Sequence, residues 1–253
     1  MSPECRRESA FKTHNSQLPD TGSLMILLAH LFVSALLPAA AAGQAAVLDS
    51  AYSARAIPLA PDPDAEAWAR APSVLADRDR MGQPVPGPPT EIRARWTDEH
   101  LYLLYICPYT ELNLNPGPVE SGETQRLWHW DVAEAFIGSD FENIGRYKEF
   151  QASPRGEWAD LDIDRGNPAQ TGIRWDSGFS VSGRIDEKRR VWYALMRIPF
   201  RAIDLRSPRA GLELRLGLFR IAGSAEPRTR YVWQPTGRPT FHVPEAFGIL
   251  RLR

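Results

Sequence analysis

Leu212-Glu213-Leu214-Arg215-Leu216-Gly217-Leu218 alternates leucine with Glu, Arg or Gly at every step. A period of two belongs to an extended strand, whose successive side chains point to opposite faces. The spacing predicts a half-buried strand, with its leucines on the core and Glu213, Arg215 and Gly217 turned away. Outward from it, residues 179–185 and 191–198 read as two strands paired across residues 186–190. Residues 91–96 and 101–107 form a second predicted hairpin, across the polar turn Thr97-Asp98-Glu99-His100. No window sustains helical periodicity for long, and the Pro- and Gly-rich stretches 78–89 and 113–123 read as loops. The pattern predicts an all-β fold, a single antiparallel β-sandwich with two sheets packed face to face.

The chain divides into an N-terminal extension with a signal peptide, residues 1–45, and one domain, residues 46–253. Leu24 to Leu37 is an apolar run too short to span a bilayer comfortably, and the small residues Ala39 to Ala45 follow it. Cleavage is expected after Ala42 or Ala45, which implies a secreted or periplasmic protein with no membrane attachment once the signal is removed. The 30 basic and 31 acidic residues nearly balance, so the charge offers no reason to expect a nucleic-acid partner. Of the two cysteines, Cys5 precedes the apolar run. Cys107 is thus left without a disulfide partner, and no cysteine-based zinc site can form.

Trp128-His129-Trp130-Asp131-Val132-Ala133-Glu134-Ala135-Phe136-Ile137 sets two indoles and two carboxylates at the mouth of an otherwise apolar strand. Flat apolar faces and paired hydrogen-bonding groups are what a pyranose ring requires of a site. A second such segment, Thr240-Phe241-His242-Val243-Pro244-Glu245-Ala246-Phe247-Gly248, leads into a closing strand. With the entry segment around Trp68, the hairpin from Glu91 to Cys107, Tyr147-Lys148-Glu149-Phe150-Gln151 and Arg197-Ile198-Pro199-Phe200, the order of segments resembles the family 9 carbohydrate-binding modules and their DOMON-like relatives.

The resemblance implies an exported, non-catalytic module that stacks a sugar or oligosaccharide between two aromatic rings. Trp128, six residues before Glu134, and Phe241, before the last strand, fall at the clamp positions. Glu134 falls at the family's carboxylate, and Gln151 stands where the family carries a basic residue. Trp130 and His242 are expected as further contacts. Both clamp aromatics are expected to stand open for a ligand and to contribute little to the core. Two alternatives stay open: a haem-binding or redox DOMON-like module, with His or Met ligands, and a structural β-sandwich without a small ligand.

Asp160, Asp162 and Asp164 alternate with Ala159, Leu161 and Ile163, so the three carboxylates share one strand face. They are candidate calcium ligands or a solvated acidic row, with Ala159, Leu161 and Ile163 expected on the core. Enzyme chemistry is not expected. There is no Gly-x-Ser-x-Gly elbow, no His-Glu-x-x-His and no phosphate loop. Asp131 and Glu134, three apart on a strand, would point to opposite faces and cannot flank one glycosidic bond.

Overall fold

A computed structural model of the chain describes residues 45–170, 172 and 175–253. The apolar run expected as a signal segment lies outside them. The described residues form twelve strands: β1 (Val47–Tyr52), β2 (Ser73–Ala76), β3 (Thr90–Trp96), β4 (His100–Pro108), β5 (Val132–Gly138), β6 (Arg146–Ala152), β7 (Trp158–Asp164), β8 (Ser180–Asp186), β9 (Val191–Pro199), β10 (Glu213–Ala222), β11 (Thr229–Val232) and β12 (Gly248–Leu252). Both predicted hairpins are present, as β3–β4 and β8–β9. No helix among these residues is long and apolar enough to cross a membrane.

The strands run in the order β7-β6-β5-β10-β12-β1-β3-β4-β9-β8, with β11 added to β10 and β2 to β3. The antiparallel expectation needs correction at β1. Val47 to Ser50 pair in parallel with Ile249 to Leu252 of β12, and Ala51 and Tyr52 pair in parallel with Arg95 and Trp96 of β3. One strand thereby covers the inner edges of both halves, which would otherwise expose unpaired backbone groups. The result is one large mixed sheet curled into a near-barrel rather than two separate antiparallel layers.

The main core fills the space between the halves. Ala133, Ala135 and Ile137 of β5 and Leu214, Leu216 and Leu218 of β10 meet a cluster that includes Ile92, Leu103, Trp192 and Met196. The leucines of β10 are therefore where the alternation puts them, each fully enclosed. Its opposite face is not solvated, however. Arg215 is 5% exposed, and its guanidinium donates from Nε to the Asp140 carbonyl (2.9 Å) and from an Nη to the Arg146 carbonyl (3.2 Å). A Cβ on Gly217 would come within 2.7 Å of the Phe219 ring and 3.1 Å of Phe247. A second, mainly aromatic cluster thus covers this face, built around Phe136, Tyr147, Phe219, Phe241 and Phe247. Period-two alternation names the two faces of a strand but not whether the second face is covered.

Candidate functional site

Ladder register assembles a polar patch on the face that carries the second cluster. Glu134 of β5 lies opposite Gln151 of β6 and Phe219 of β10, and Phe136 lies opposite Glu149 and Gly217. One strand further, Glu149 and Tyr147 face Leu161 and Ile163 of β7. Directly opposed residues share a face. Two carboxyls and an amide therefore sit side by side, flanked by aromatic rings on one edge and aliphatic side chains on the other.

Above this patch is a cavity of about 400 Å³. Trp128, Glu134, Gln151, Phe241 and His242, drawn from three separate parts of the chain, all line it. Trp130 does not; it is half-buried and packs beside the second cluster. The strand expected from Trp128 begins only at Val132, and Trp128 lies on a 3₁₀ turn, Leu127–His129. Arg228 holds that turn in place. Its guanidinium donates to the Trp128 carbonyl (3.0 Å) and the Gly223 carbonyl (2.7 Å) and pairs with the buried Asp131 carboxylate (3.3 Å). The indole of Trp128 remains 39% exposed.

Phe241 corrects the expectation of an open ring. It is 7% exposed and stacks parallel on Phe219, with centroids 4.3 Å apart and planes 10° from parallel. Arg80 donates to the Pro239 carbonyl and Arg165 to the His242 carbonyl (2.5 Å), anchoring the Phe241 loop on both sides. The His242 ring stacks on Phe136 (5.0 Å, 28°), with its Nδ1 2.7 Å from the Tyr147 hydroxyl. Arg165 approaches the same Tyr147 oxygen, and the other ring nitrogen of His242, Nε2, turns towards Glu149. That nitrogen is 4.0 Å from Glu149 Oε2. Burial and the nearby charge of Arg165 keep His242 below the usual imidazole range, in its neutral form.

Glu149 and Glu134 are the electrostatic centre. Burial pushes Glu149 up to about 7, against a hydrogen bond from Gln151 Nε2 to its Oε1 (2.6 Å) that favours the ionised form. Burial, together with the like charge of Glu149, pushes Glu134 well above the ordinary carboxylate range. The shift favours the carboxylic acid form of Glu134, which can both donate and accept. Gln151 Oε1 is buried beside the cavity without a hydrogen-bond partner, so the amide lacks one of its bonds in the empty site.

Glu149, Arg80 and Arg230 also line the cavity and were not singled out from the sequence. Glu149 was accessible to that reading, because it is two residues from Gln151 on the same strand face. The arginines left no signal. Arg80 stands in a loop, and Arg230 is on β11, a strand too short to announce itself.

The row Asp160, Asp162 and Asp164 takes separate partners. Asp162 pairs with Lys148 (2.6 Å), Asp164 with Arg146 (3.1 Å), and Asp160 accepts from the amide and hydroxyl of Ser177. Among the described residues no group of three His, Cys or acidic side chains is arranged to hold a metal ion. Asp160 is buried rather than solvated, and Leu161 and Ile163 pack on the second cluster instead of the main core. The sulfur candidates for haem ligation lie elsewhere. Met196 is enclosed in the main core, and Met81 stands 60% exposed in its loop, neither of them lining the cavity.

No protein-family model matches the chain, and no curated protein does. Solved structures match it closely in fold. A proposed carbohydrate-binding protein from Bacteroides uniformis is 18% identical, with a TM-score of 0.63 over 83% of this chain and 100% of its own. A family 9 carbohydrate-binding module from Caldicellulosiruptor kristjanssonii, in complex with cellotriose, is 12% identical, with a TM-score of 0.59 over 82% and 94%. A family 9 module from the same organism in complex with glucose is 14% identical, with a TM-score of 0.58 over 82% and 96%. The fold is that of a family 9 carbohydrate-binding module.

Proposed function

We propose, on a fold shared with family 9 carbohydrate-binding modules, that this chain is an exported, non-catalytic module that binds a sugar or short oligosaccharide. One observation carries the reading: five of the six residues expected at the site converge on one cavity. Trp128 offers the exposed stacking face, while Phe241, fixed against Phe219, supplies a rigid wall. Gln151, Glu149 and Glu134 bond ring hydroxyls, and His242 adds a ring nitrogen.

A rigid, mostly pre-formed pocket with a few convergent polar groups suits binding without a covalent step. The modules in complex with cellotriose and glucose support the ligand class. The test is calorimetry of the protein against a broad panel of mono- and oligosaccharides, with Trp128→Ala alongside. Binding is expected in the wild type and at least tenfold weaker, or absent, in the variant. A folded wild type that binds no sugar on the panel would sink the reading.

A further inference from the structure

Two guanidiniums form one rim of the cavity. Arg80 comes from the loop between β2 and β3, and Arg230 from β11, where it pairs in register with Ile221, another lining residue. Neither makes an ion pair among the described residues. Arg80 donates to the Pro239 carbonyl, and Arg230 donates to the Arg228 carbonyl at 3.3 Å. Arg228, two residues away, shows the contrast, since its charge is spent on Asp131. The two rim cations are also close enough to oppose each other: Arg80 is held below its ordinary range by burial first and by the charge of Arg230 second.

Like charges set together at the edge of a partly apolar cavity, with Asp79 and Glu134 nearby but no carboxylate among the described residues in ion-pair contact with either, raise the energy of the empty site. An anion on a ligand would relieve it. The guanidinium fork matches a carboxylate in particular, through two parallel N–H···O bonds. The site's own acids do not ion-pair with the rim: burial pushes Glu149 up to about 7 and holds Glu134 well above the ordinary carboxylate range against the charge of Arg230, and neither is within ion-pair distance of a rim guanidinium. Gln151 and Glu149, joined by a hydrogen bond, line the same cavity from β6. The cavity is therefore polarised, hydroxyl-binding groups on the strands and cationic groups on the rim.

Building on the sugar-binding reading, we propose that the preferred ligand is an anionic pyranose, a hexuronic acid unit whose carboxylate is taken by Arg80 and Arg230 while Gln151 and Glu149 take its hydroxyls. Matched pairs isolate the charge, because a hexose and its uronate differ only at the exocyclic carbon. Calorimetry of the full chain at neutral pH would compare glucose with glucuronate, galactose with galacturonate and mannose with mannuronate.

In at least one pair the uronate is expected to bind about tenfold tighter than its neutral partner, the gain expected of a charge-assisted contact. That ratio should shrink with added salt. It should approach one in Arg230→Gln and be partly kept in Arg230→Lys, which retains the charge but not the fork. Melting curves identify any variant that fails to fold. If every pair that binds shows the neutral sugar binding as tightly or tighter, or if Arg230→Gln keeps the full ratio while folded, the anionic assignment is overturned and the sugar reading stands. If no member of any pair binds, and no other sugar does, both fall together.

Discussion

The ring of Phe241 lies parallel to that of Phe219, with centroids 4.3 Å apart, so the residue at the second clamp position belongs to the packed second cluster as much as to the cavity. Phe241→Ala is expected to lose about 3 kcal/mol of stability through the lost burial and the cavity left behind. Trp128→Ala, whose indole is 39% exposed, should cost less than about 1 kcal/mol. Both should impair sugar binding. Urea denaturation of the pair checks the difference, and equal losses would contradict the assigned roles of wall and open face.

Arg215 provides a second comparison within one strand. Leu216→Ala should cost about 2–5 kcal/mol as a core truncation. Arg215→Ala, expected to be harmless if that face were solvated, should instead cost about 1–3 kcal/mol, because the Asp140 and Arg146 carbonyls lose buried donors. Chemical denaturation of Arg215→Ala measures it. A loss within experimental error of zero would mean that water readily replaces the guanidinium.

Stability should depend on pH through Glu149. Its folded value of about 7 lies above the ordinary 4.5, so between these values the folded protein holds a proton that the unfolded chain has released. The extra stability is fully present below about 4.5 and is lost as pH rises towards 7. Glu134, raised for the same reason, acts in the same direction. Melting temperatures across this window should fall in the wild type and fall less in Glu149→Gln. Parallel slopes for the two proteins would place the titration elsewhere.

Arg228 links the fold to the site, since one guanidinium holds both the Trp128 carbonyl and the buried Asp131. Arg228→Met removes the ion-pair partner of that carboxylate and leaves it the more distant charge of Arg220 and the Gly223 amide, a change expected to cost about 3 kcal/mol. Arg228→Met/Asp131→Leu removes both charges and should recover part of this loss without restoring sugar affinity, because the Trp128 turn stays unpinned. Full recovery of binding in the double variant would show that Arg228 does not position Trp128.

The export expectation rests on residues 24–45 alone. N-terminal sequencing of the secreted or periplasmic protein should find a first residue between Gly43 and Ala46. Intact chain in the membrane fraction, still carrying residues 24–37, would make the segment an anchor.

Local pattern in the chain was enough to name the leucine face of β10 and the two hairpins β3–β4 and β8–β9. The resemblance carried by the order of segments singled out Trp128, Glu134, Gln151, Phe241 and His242, and these five line one cavity. Pairing over long distances decided the rest. The parallel placement of β1 follows from closing two sheet edges at once, and the burial of Arg215 follows from aromatic rings supplied by other strands and by the loop before β12. Arg80 and Arg230 reach the same rim only because a loop and a short strand are brought to one face. A strand's sequence records the direction of its side chains, but what they meet depends on the register of neighbours far away in the chain.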